Sequence, residues 1–254
     1  MNDADLSPND GRGDTLLILR AGDPLPDVAA RHGEFAGWIE RVAAKAWGGT
    51  FTIHDLRSSD ALPDIRSVAG IMITGSISSV TERAPWMLRA EAYIRDIVAA
   101  EAPLFGICFG HQLMAQALGG DVQRNPRGRE IGTVPVTRIG DDPLFAGLSD
   151  AILVNATHVD TVVILPPRAT VIATTALDEN AIVAFGPAAR GVQFHPEIDR
   201  AVMRSYVEAR WTTLVDEGLD VDGIHARISE TPEAGELLCN FIRSFVLSPV
   251  RRAA

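Results

Sequence analysis

The segment around Cys108 combines features that suit a reactive thiol. A short apolar run at residues 104–107 predicts a buried strand, and the run at 111–118 predicts a helix that a Gly-Gly pair ends. Gly106 and Gly110 stand two residues on either side of the cysteine and permit a sharp turn. A helix N-terminus favours the thiolate through its dipole and its unpaired backbone N–H groups. The pattern therefore predicts a nucleophile rather than a buried structural cysteine.

A second motif, at residues 191–197, supplies a base for that thiol. Apolar residues lead into His195, which places it at the end of a predicted strand. Glu197 can reach back to the imidazole around Pro196, and a carboxylate in that place sets the tautomer and supports the imidazolium. The alternative is a surface histidine beside a helix-capping glutamate. The presence of the cysteine turn favours the catalytic interpretation.

The remaining histidines and the two cysteines give weaker signals. His158 is expected in a loop between two strands, from which it can face the site, and His111 at the helix start near Cys108. We interpret His32, His54 and His225 as surface residues. Because no Cys/His group has metal-ligand spacing and no phosphate-binding loop occurs, we expect no metal and no cofactor.

Composition narrows the possible partners. The 254 residues are 46% hydrophobic, which suffices for a globular core, and carry a formal net charge of −10. That charge argues against a nucleic-acid or anionic-membrane surface and favours a small molecule or a protein partner. No apolar run approaches the roughly 18–20 residues that a membrane span needs. The two cysteines form no disulfide framework, so we expect a reducing cytoplasm.

The order of predicted elements indicates an α/β fold. Strands are predicted at 15–20, 50–55, 70–74 and 104–107, and helices at 28–47 and 86–100. Strands that alternate with helices favour a doubly wound, mostly parallel sheet flanked by helices, with its functional loops at the carboxyl ends of the strands. Short β-like runs follow at 121–124, 132–138, 151–155, 162–165, 171–175, 182–185 and 191–194.

Three regions are expected along the chain. Residues 1–14 are polar and acidic and predict a disordered tail, residues 15–200 form the main domain, and residues 201–254 form a C-terminal helical extension on the same domain. The extension carries an apolar stripe that should dock on the body: Leu237, Leu238, Phe241, Ile242 and Phe245.

Four blocks resemble class I, triad-type glutamine amidotransferases, and most closely the glutaminase domain of GMP synthase. Gly-Ile-Cys-Phe-Gly-His-Gln at 106–112 resembles the nucleophile block, and Val-Gln-Phe-His-Pro-Glu at 192–197 resembles the His-x-Glu block. Residues 70–80 resemble the oxyanion strand, and 158–162 resemble the His-Gly-Asp-x-Val loop. The resemblance covers about residues 15–200 and implies the flavodoxin-like fold of that family.

The resemblance also implies a role for each matching residue. Cys108 would attack the side-chain amide of glutamine, His195 would transfer protons, and Glu197 would orient His195. The oxyanion hole would use backbone N–H groups of Ser76 and Phe109, next to Gly75. The ends of the substrate would contact Gln112, His158, Val159 and Asp160.

The chain departs from the family pattern at three positions and in one larger feature. Ser76 and Ile77 stand where the family has glycine and proline, and Val159 stands where it has a glycine that borders the pocket. The pyrophosphatase loop of a synthetase half, Ser-Gly-Gly-x-Asp, does not occur in the 254 residues.

These observations predict a hydrolase that cleaves the γ-amide of glutamine and releases ammonia for a partner synthetase. The alternative enzyme is a stand-alone γ-glutamyl peptidase, because Val159 narrows the pocket. A non-catalytic thiol redox sensor is the third possibility, but a sensor has no need of His195 and Glu197.

Overall fold

The structure is a computed structural model that describes residues 13–248. The disordered tail predicted at 1–14 falls outside this range except for its last two residues. The described strands are β1 (Thr15–Arg20), β2 (Thr50–Asp55), β3 (Gly70–Ile73), β4 (Leu104–Ile107), β5 (Asp121–Arg124), β6 (Glu130–Arg138), β7 (Ala151–His158), β8 (Asp160–Ile164), β9 (Thr170–Thr174), β10 (Ile182–Gly186) and β11 (Ala189–Val192). The helices are α1 (Pro26–His32), α2 (Phe35–Ala43), α3 (Pro85–Ala99), α4 (Phe109–Ala117), α5 (Arg200–Ala209), α6 (Trp211–Asp216), α7 (Val221–Arg227) and α8 (Pro232–Phe241). A π-helical turn, Ile242–Val246, follows α8 directly.

A nine-stranded mixed sheet forms the centre of the molecule, in the order β2-β1-β3-β4-β11-β10-β9-β6-β7. The neighbours from β2 to β11 pair in parallel, and the neighbours from β11 to β7 pair antiparallel. This confirms the predicted, mostly parallel α/β sheet, and it shows that most of the later β-like runs extend the same sheet in antiparallel order. One detail differs, because β5 and β8 pair with each other in a separate two-stranded sheet.

Helices cover both faces of the parallel half, as a doubly wound sheet requires. Leu16 and Ile18 of β1 point into one apolar core together with residues of α2 and α8. Leu17 and Leu19 point the other way, into a second core with residues of α3 and α4. All four side chains are buried, and each contributes about 1.5–3 kcal/mol by leaving water. A continuous apolar run in the sequence thus corresponds to a strand that is buried on both faces.

The predicted C-terminal stripe docks on the first of these cores. Leu237, Phe241 and Ile242 are fully buried, and the ring centroid of Phe241 lies 5.0 Å from that of Phe105 on β4. The expected docking of the stripe is therefore confirmed, whereas the division of the chain at residue 200 stays a prediction.

None of the helices within residues 13–248 is long and apolar enough to cross a bilayer.

The single helix predicted at 28–47 is wrong. The chain forms α1 and α2 instead, because Gly33 has a φ of 85° and Glu34 is extended. The indole N–H of Trp38 donates to the carbonyl of His32 over 2.7 Å and closes the end of α1. Apolar spacing continues across this break, so periodicity alone could not reveal it.

Three neighbouring parallel strands bring the motifs together. β3 pairs with β4, and β4 pairs with β11. The carboxyl ends of all three strands therefore meet at one edge of the sheet, which is where such sheets bind ligands. Ser76, Cys108 and His195 follow these three strands by one to three residues.

Candidate active site

Cys108 occupies a strained turn between β4 and α4. Its φ of 50° and ψ of −100° lie outside the regions that residues with a side chain normally adopt. A Cβ at Gly106 would lie 2.5 Å from Sδ of Met114, and one at Gly110 would lie 2.6 Å from the carbonyl oxygen of Ile73. The two glycines are thus required by close packing of the helix on the sheet. The predicted strand–turn–helix is confirmed, with the helix starting at Phe109.

His195 and Glu197 form a buried pair. Nδ1 of His195 lies 2.7 Å from Oε1 of Glu197, and the two residues are 2% and 4% exposed. The backbone N–H of His195 donates to the carbonyl of Asn155 over 2.9 Å. The Phe35 ring stacks on the imidazole with ring centroids 5.8 Å apart. Backbone, carboxylate and aromatic ring together fix the orientation of the imidazole.

The charges around His195 favour its protonated form. Burial disfavours the imidazolium, but the negative charges of Glu197 and of the Cys108 thiolate outweigh burial and raise the pKa of His195 to about 10. At neutral pH the site therefore holds an imidazolium beside the thiol, as in activated cysteine–histidine pairs.

The segment after β3 presents backbone N–H groups next to the thiol. Thr74 ties this segment to the end of β1, because its hydroxyl accepts from the N–H of Ala21 over 3.0 Å. A Cβ at Gly22 would lie 2.1 Å from Oγ of Ser76, so that glycine lets Ser76 approach β1. Within residues 13–248 neither the Ser76 nor the Phe109 backbone N–H is bonded to a protein acceptor. Both groups are available to a substrate oxygen.

A chain of side-chain amides leads to the sulfur. The amide nitrogen of Gln112 donates to the carbonyl of Asp160 over 2.8 Å and to Oε1 of Gln193 over 3.0 Å. The amide nitrogen of Gln193 lies 3.6 Å from Sγ of Cys108. Gln193 was not predicted as a site residue, although its place two residues before His195 was the available signal. Gln112 thereby positions Gln193 and keeps its own carbonyl oxygen for other contacts.

His158 ends β7 rather than lying in the loop that was predicted. Its Nδ1 lies 2.9 Å from the carbonyl of Asp160, and its Nε2 lies 3.1 Å from a carboxylate oxygen of Glu130. Burial opposes the charged ring, but the Glu130 hydrogen bond and the charge of Asp178 raise the pKa of His158. Because both ring nitrogens face protein atoms, His158 shapes the wall of the site. Glu130 was not predicted either, since no local pattern in the sequence links it to His158.

The other histidines lie away from the thiol chemistry. His111 is fully buried against Phe185, and burial lowers its pKa to about 3, so it is neutral at pH 7. His32, His54 and His225 are partly exposed, which agrees with the expected position at the surface. His32 bonds the hydroxyl of Ser205 at 2.8 Å and thereby joins α1 to α5.

A cavity of about 280 Å³ opens beside Cys108. Seven of the predicted site residues line it: Ser76, Cys108, Phe109, Gln112, His158, Val159 and Asp160. Gly75, His195 and Glu197 are not among the lining residues. Six further charged or polar residues line the cavity and had not been predicted from the sequence: Ser78, Ser79, Arg124, Arg129, Thr157 and Arg210. The volume lies at the lower end of the range for small-molecule sites, which suits a ligand the size of an amino acid.

Comparison with known families identifies the domain. Residues 45–211 match the family described as glutamine amidotransferase class-I. The chain belongs to the class I glutamine amidotransferase family. The matched region contains the Cys108 turn, the His195–Glu197 pair and every residue that lines the cavity. The resemblance on which the residue roles were based is thereby confirmed at the level of the family.

Two curated relatives of this chain differ in the share of their own length that the match covers. A glutamine amidotransferase-like protein of Schizosaccharomyces pombe is 26% identical over 246 residues, which cover 91% of this chain and 98% of the relative. The GMP synthase (glutamine-hydrolyzing) of Vibrio atlanticus is 36% identical over 185 residues, which cover 72% of this chain. The chain spans only 32% of the length of that GMP synthase.

A solved structure has the same fold over nearly the whole amidotransferase chain. The crystal structure of a glutamine amidotransferase from Thermotoga maritima superimposes with a TM-score of 0.72 at 25% sequence identity. The superposition covers 92% of this chain and 98% of that one. The helices that follow the His195 motif are therefore part of a fold that this other amidotransferase shares.

Proposed function

We propose that this chain hydrolyses the γ-amide of glutamine through a thioester on Cys108 and releases ammonia for a partner synthetase. One observation carries the proposal: Cys108 lies between a buried His195–Glu197 pair and a cavity of about 280 Å³. A relative whose name is GMP synthase (glutamine-hydrolyzing) supports the substrate class and a synthetase as the partner. Because both cysteines are free thiols, we also propose the reducing cytoplasm as its location.

The first half of the reaction forms the thioester. The Cys108 thiolate attacks the amide carbon, and a sulfur–carbon bond forms while the carbonyl oxygen takes up negative charge. The backbone N–H groups of Ser76 and Phe109 stabilise that oxyanion, which exists only in the transition state and intermediate. The His195 imidazolium then donates its proton to the leaving nitrogen, so that ammonia departs when the carbon–nitrogen bond breaks.

The second half releases glutamate. His195, now neutral, takes a proton from water, which attacks the thioester carbon. The sulfur–carbon bond breaks, and the thiolate and the imidazolium are restored together. Glu197 holds the ring throughout and stabilises the imidazolium by its charge.

Ammonia release tests this proposal directly. Purified protein should release ammonia and glutamate from L-glutamine in equal amounts, slowly if a partner must complete the site. A glutamine-analogue electrophile should label Cys108. A protein that reacts with peroxide at Cys108 but releases no ammonia and accepts no glutamine analogue would be a redox sensor instead, and the proposal would fail.

The substrate preference separates the two enzymatic readings of the site. Val159 lines the cavity, and its carbonyl accepts from the backbone N–H of Asn125 over 2.8 Å, so the side chain borders the site from a fixed backbone. We expect kcat/KM on glutamine to match or exceed kcat/KM on a γ-glutamyl dipeptide, and Val159→Gly to widen the range of accepted amides. A dipeptide preference of about tenfold or more, roughly 1.4 kcal/mol of transition-state binding, would make the chain a γ-glutamyl peptidase.

Gly75 is expected to be essential because of the space it leaves for His195. A Cβ at Gly75 would lie 2.8 Å from Cε1 of His195 and 3.4 Å from the Phe35 ring. Gly75→Ala must therefore displace the imidazole, and a misplacement of about 1 Å lowers catalysis roughly 100-fold. Steady-state ammonia release measures the loss.

The matched control for this substitution is Gly37→Ala in α2. A Cβ at Gly37 has no neighbour within 4 Å, so this variant should keep full activity. Thermal unfolding should show that both variants fold. If Gly75→Ala is folded and as active as Gly37→Ala, the imidazole is not held where the structure places it.

A further inference from the structure

Three arginines converge on the cavity, two from neighbouring positions in the chain and one from more than 80 residues further on. Arg124 ends β5, Arg129 directly precedes β6, and Arg210 joins α5 to α6. The chain as a whole carries a formal net charge of −10, so a cluster of cations beside the thiol runs against its overall composition. The roles proposed above for Cys108 and His195 leave the three guanidinium groups without a function.

One carboxylate balances only part of this charge. Arg129 forms a two-point ion pair with Glu217, with N···O distances of 2.7 and 2.9 Å. Arg124 lies 3.8 Å from the same carboxylate. The Arg129 hydrogen bond holds the pKa of Glu217 below its usual range, so the glutamate is ionised. Two guanidinium groups therefore share a single negative charge.

Arg210 is fixed in place but has no carboxylate partner among residues 13–248. Its Nη1 donates to the hydroxyl of Thr157 over 2.9 Å, and its guanidinium lies over the Tyr206 ring, 5.0 Å from the centroid. Burial lowers the pKa of Arg210, which means that its positive charge is poorly compensated. An anion in the cavity would supply the missing charge and two or more hydrogen-bond acceptors.

Asp160 places a carboxylate on the wall of the same cavity. Its carboxylate accepts from the hydroxyl of Ser79, and its backbone carbonyl holds Gln112. A free amino acid carries an ammonium and a carboxylate on one carbon. A cavity whose walls carry a carboxylate and a guanidinium that is not paired with a carboxylate among the described residues complements such a zwitterion.

We propose that Arg210, supported by Arg129, binds the α-carboxylate of a γ-glutamyl substrate and so restricts the site to substrates in which that carboxylate is free. This inference rests on the proposed glutaminase reaction and deepens it. The leaving nitrogen must lie next to His195, which does not line the cavity. In the proposed reaction Cys108 and the backbone N–H groups of Ser76 and Phe109 hold the amide end of the substrate, so the arginines are left for its amino-acid end. The substrate class is thus L-glutamine and γ-glutamyl compounds with an unmodified α-carboxylate.

Arg210→Met tests the proposal, because methionine keeps much of the packing volume and removes the charge. We expect KM for L-glutamine to rise about tenfold or more while kcat changes by less than about threefold, since the carboxylate contact is present in both ground and transition states. The KM of Arg210→Lys should lie between the values for the natural protein and for Arg210→Met. Arg200→Met is the matched control, because Arg200 lies on α5, is exposed and pairs with Glu230 outside the cavity.

A substrate without the α-carboxylate gives the decisive comparison. In L-glutamine amide a neutral carboxamide replaces the α-carboxylate, so it should be a poor substrate for the natural protein. Its kcat/KM should be the same for the natural protein and for Arg210→Met. If Arg210→Met lowered kcat/KM by the same factor on glutamine and on L-glutamine amide, Arg210 would only support the fold, and the inference would be overturned. An unchanged KM for glutamine in Arg210→Met would overturn it as well.

A binding measurement keeps this inference separate from the proposed function. If the natural protein released no ammonia from glutamine, the glutaminase proposal would fail, yet binding at the cavity could still be measured. L-Glutamate should protect Cys108 from alkylation by iodoacetamide, which is uncharged. The half-protecting glutamate concentration should rise about tenfold in Arg210→Met and stay unchanged in Arg200→Met. Equal protection in all three proteins would overturn the inference.

Discussion

Replacing Cys108 with alanine is expected to lower kcat/KM on glutamine by roughly 10⁴-fold or more, because covalent catalysis loses its attacking atom. Cys108→Ser should be nearly as inactive, since a serine hydroxyl is far less acidic than a cysteine thiol. Ammonia release measures the effect. A glutamine-analogue electrophile should label the natural protein at Cys108 and spare Cys239, a buried thiol whose pKa burial raises. Labelling at Cys239 alone would contradict the assignment of the nucleophile.

Backbone geometry provides the control for folding. Cys108 is 6% exposed, and its φ of 50° is strained for any residue that has a Cβ. Cys108→Ala keeps that strain, whereas Cys108→Gly removes it, which is worth about 1 kcal/mol or more. The glycine variant should therefore be inactive but unfold at a temperature at or above that of the alanine variant. If glycine proves the less stable of the two, Cys108 does not carry the strained conformation.

The sequence predicted those parts of the site that lie close together along the chain. The turn at Cys108 is recognisable because strand, glycines and helix follow one another within 15 residues, from 104 to 118. The pair of His195 and Glu197 is recognisable for the same reason, as the two residues are separated by one proline. That the loops after these strands share one edge follows from the rule that the functional loops of a parallel α/β sheet lie at the carboxyl ends of its strands.

The residues that the sequence did not reveal act across long separations. Glu130 contacts His158 from the neighbouring strand, and Arg210 reaches Thr157 from 53 residues further along the chain. No local spacing encodes such pairs, because they depend on the antiparallel register of β6 and β7 and on where α5 ends. The stacking of Phe35 on His195 is likewise a product of packing between distant elements.

His195→Ala is expected to be nearly as damaging as loss of the nucleophile. The thiolate and the imidazolium form one unit, so removing either member leaves the other without its function, and the two losses should not add in the double variant. Single and double variants assayed on glutamine would show this. If the loss of activity in the double variant equals the product of the two single losses, the two residues act independently.

Glu197→Gln should cost less, because Glu197 transfers no proton. By analogy with other triads the loss in kcat should be roughly 10–100-fold smaller than for His195→Ala. If Glu197→Gln were as inactive as Cys108→Ala, this division of roles would be wrong.

The pH profile of Glu197→Gln should report the charge that the substitution removes. The negative charge of Glu197 helps to raise the pKa of His195 to about 10, against the effect of burial. Without it the imidazolium loses its proton at lower pH, so the alkaline limb of kcat/KM should move toward neutral pH by about 1–3 units. Cys239→Ala, which alters the buried thiol away from the site, serves as the control and should leave the limb in place. An alkaline limb that Glu197→Gln does not move would mean that Glu197 orients the ring without stabilising its charge.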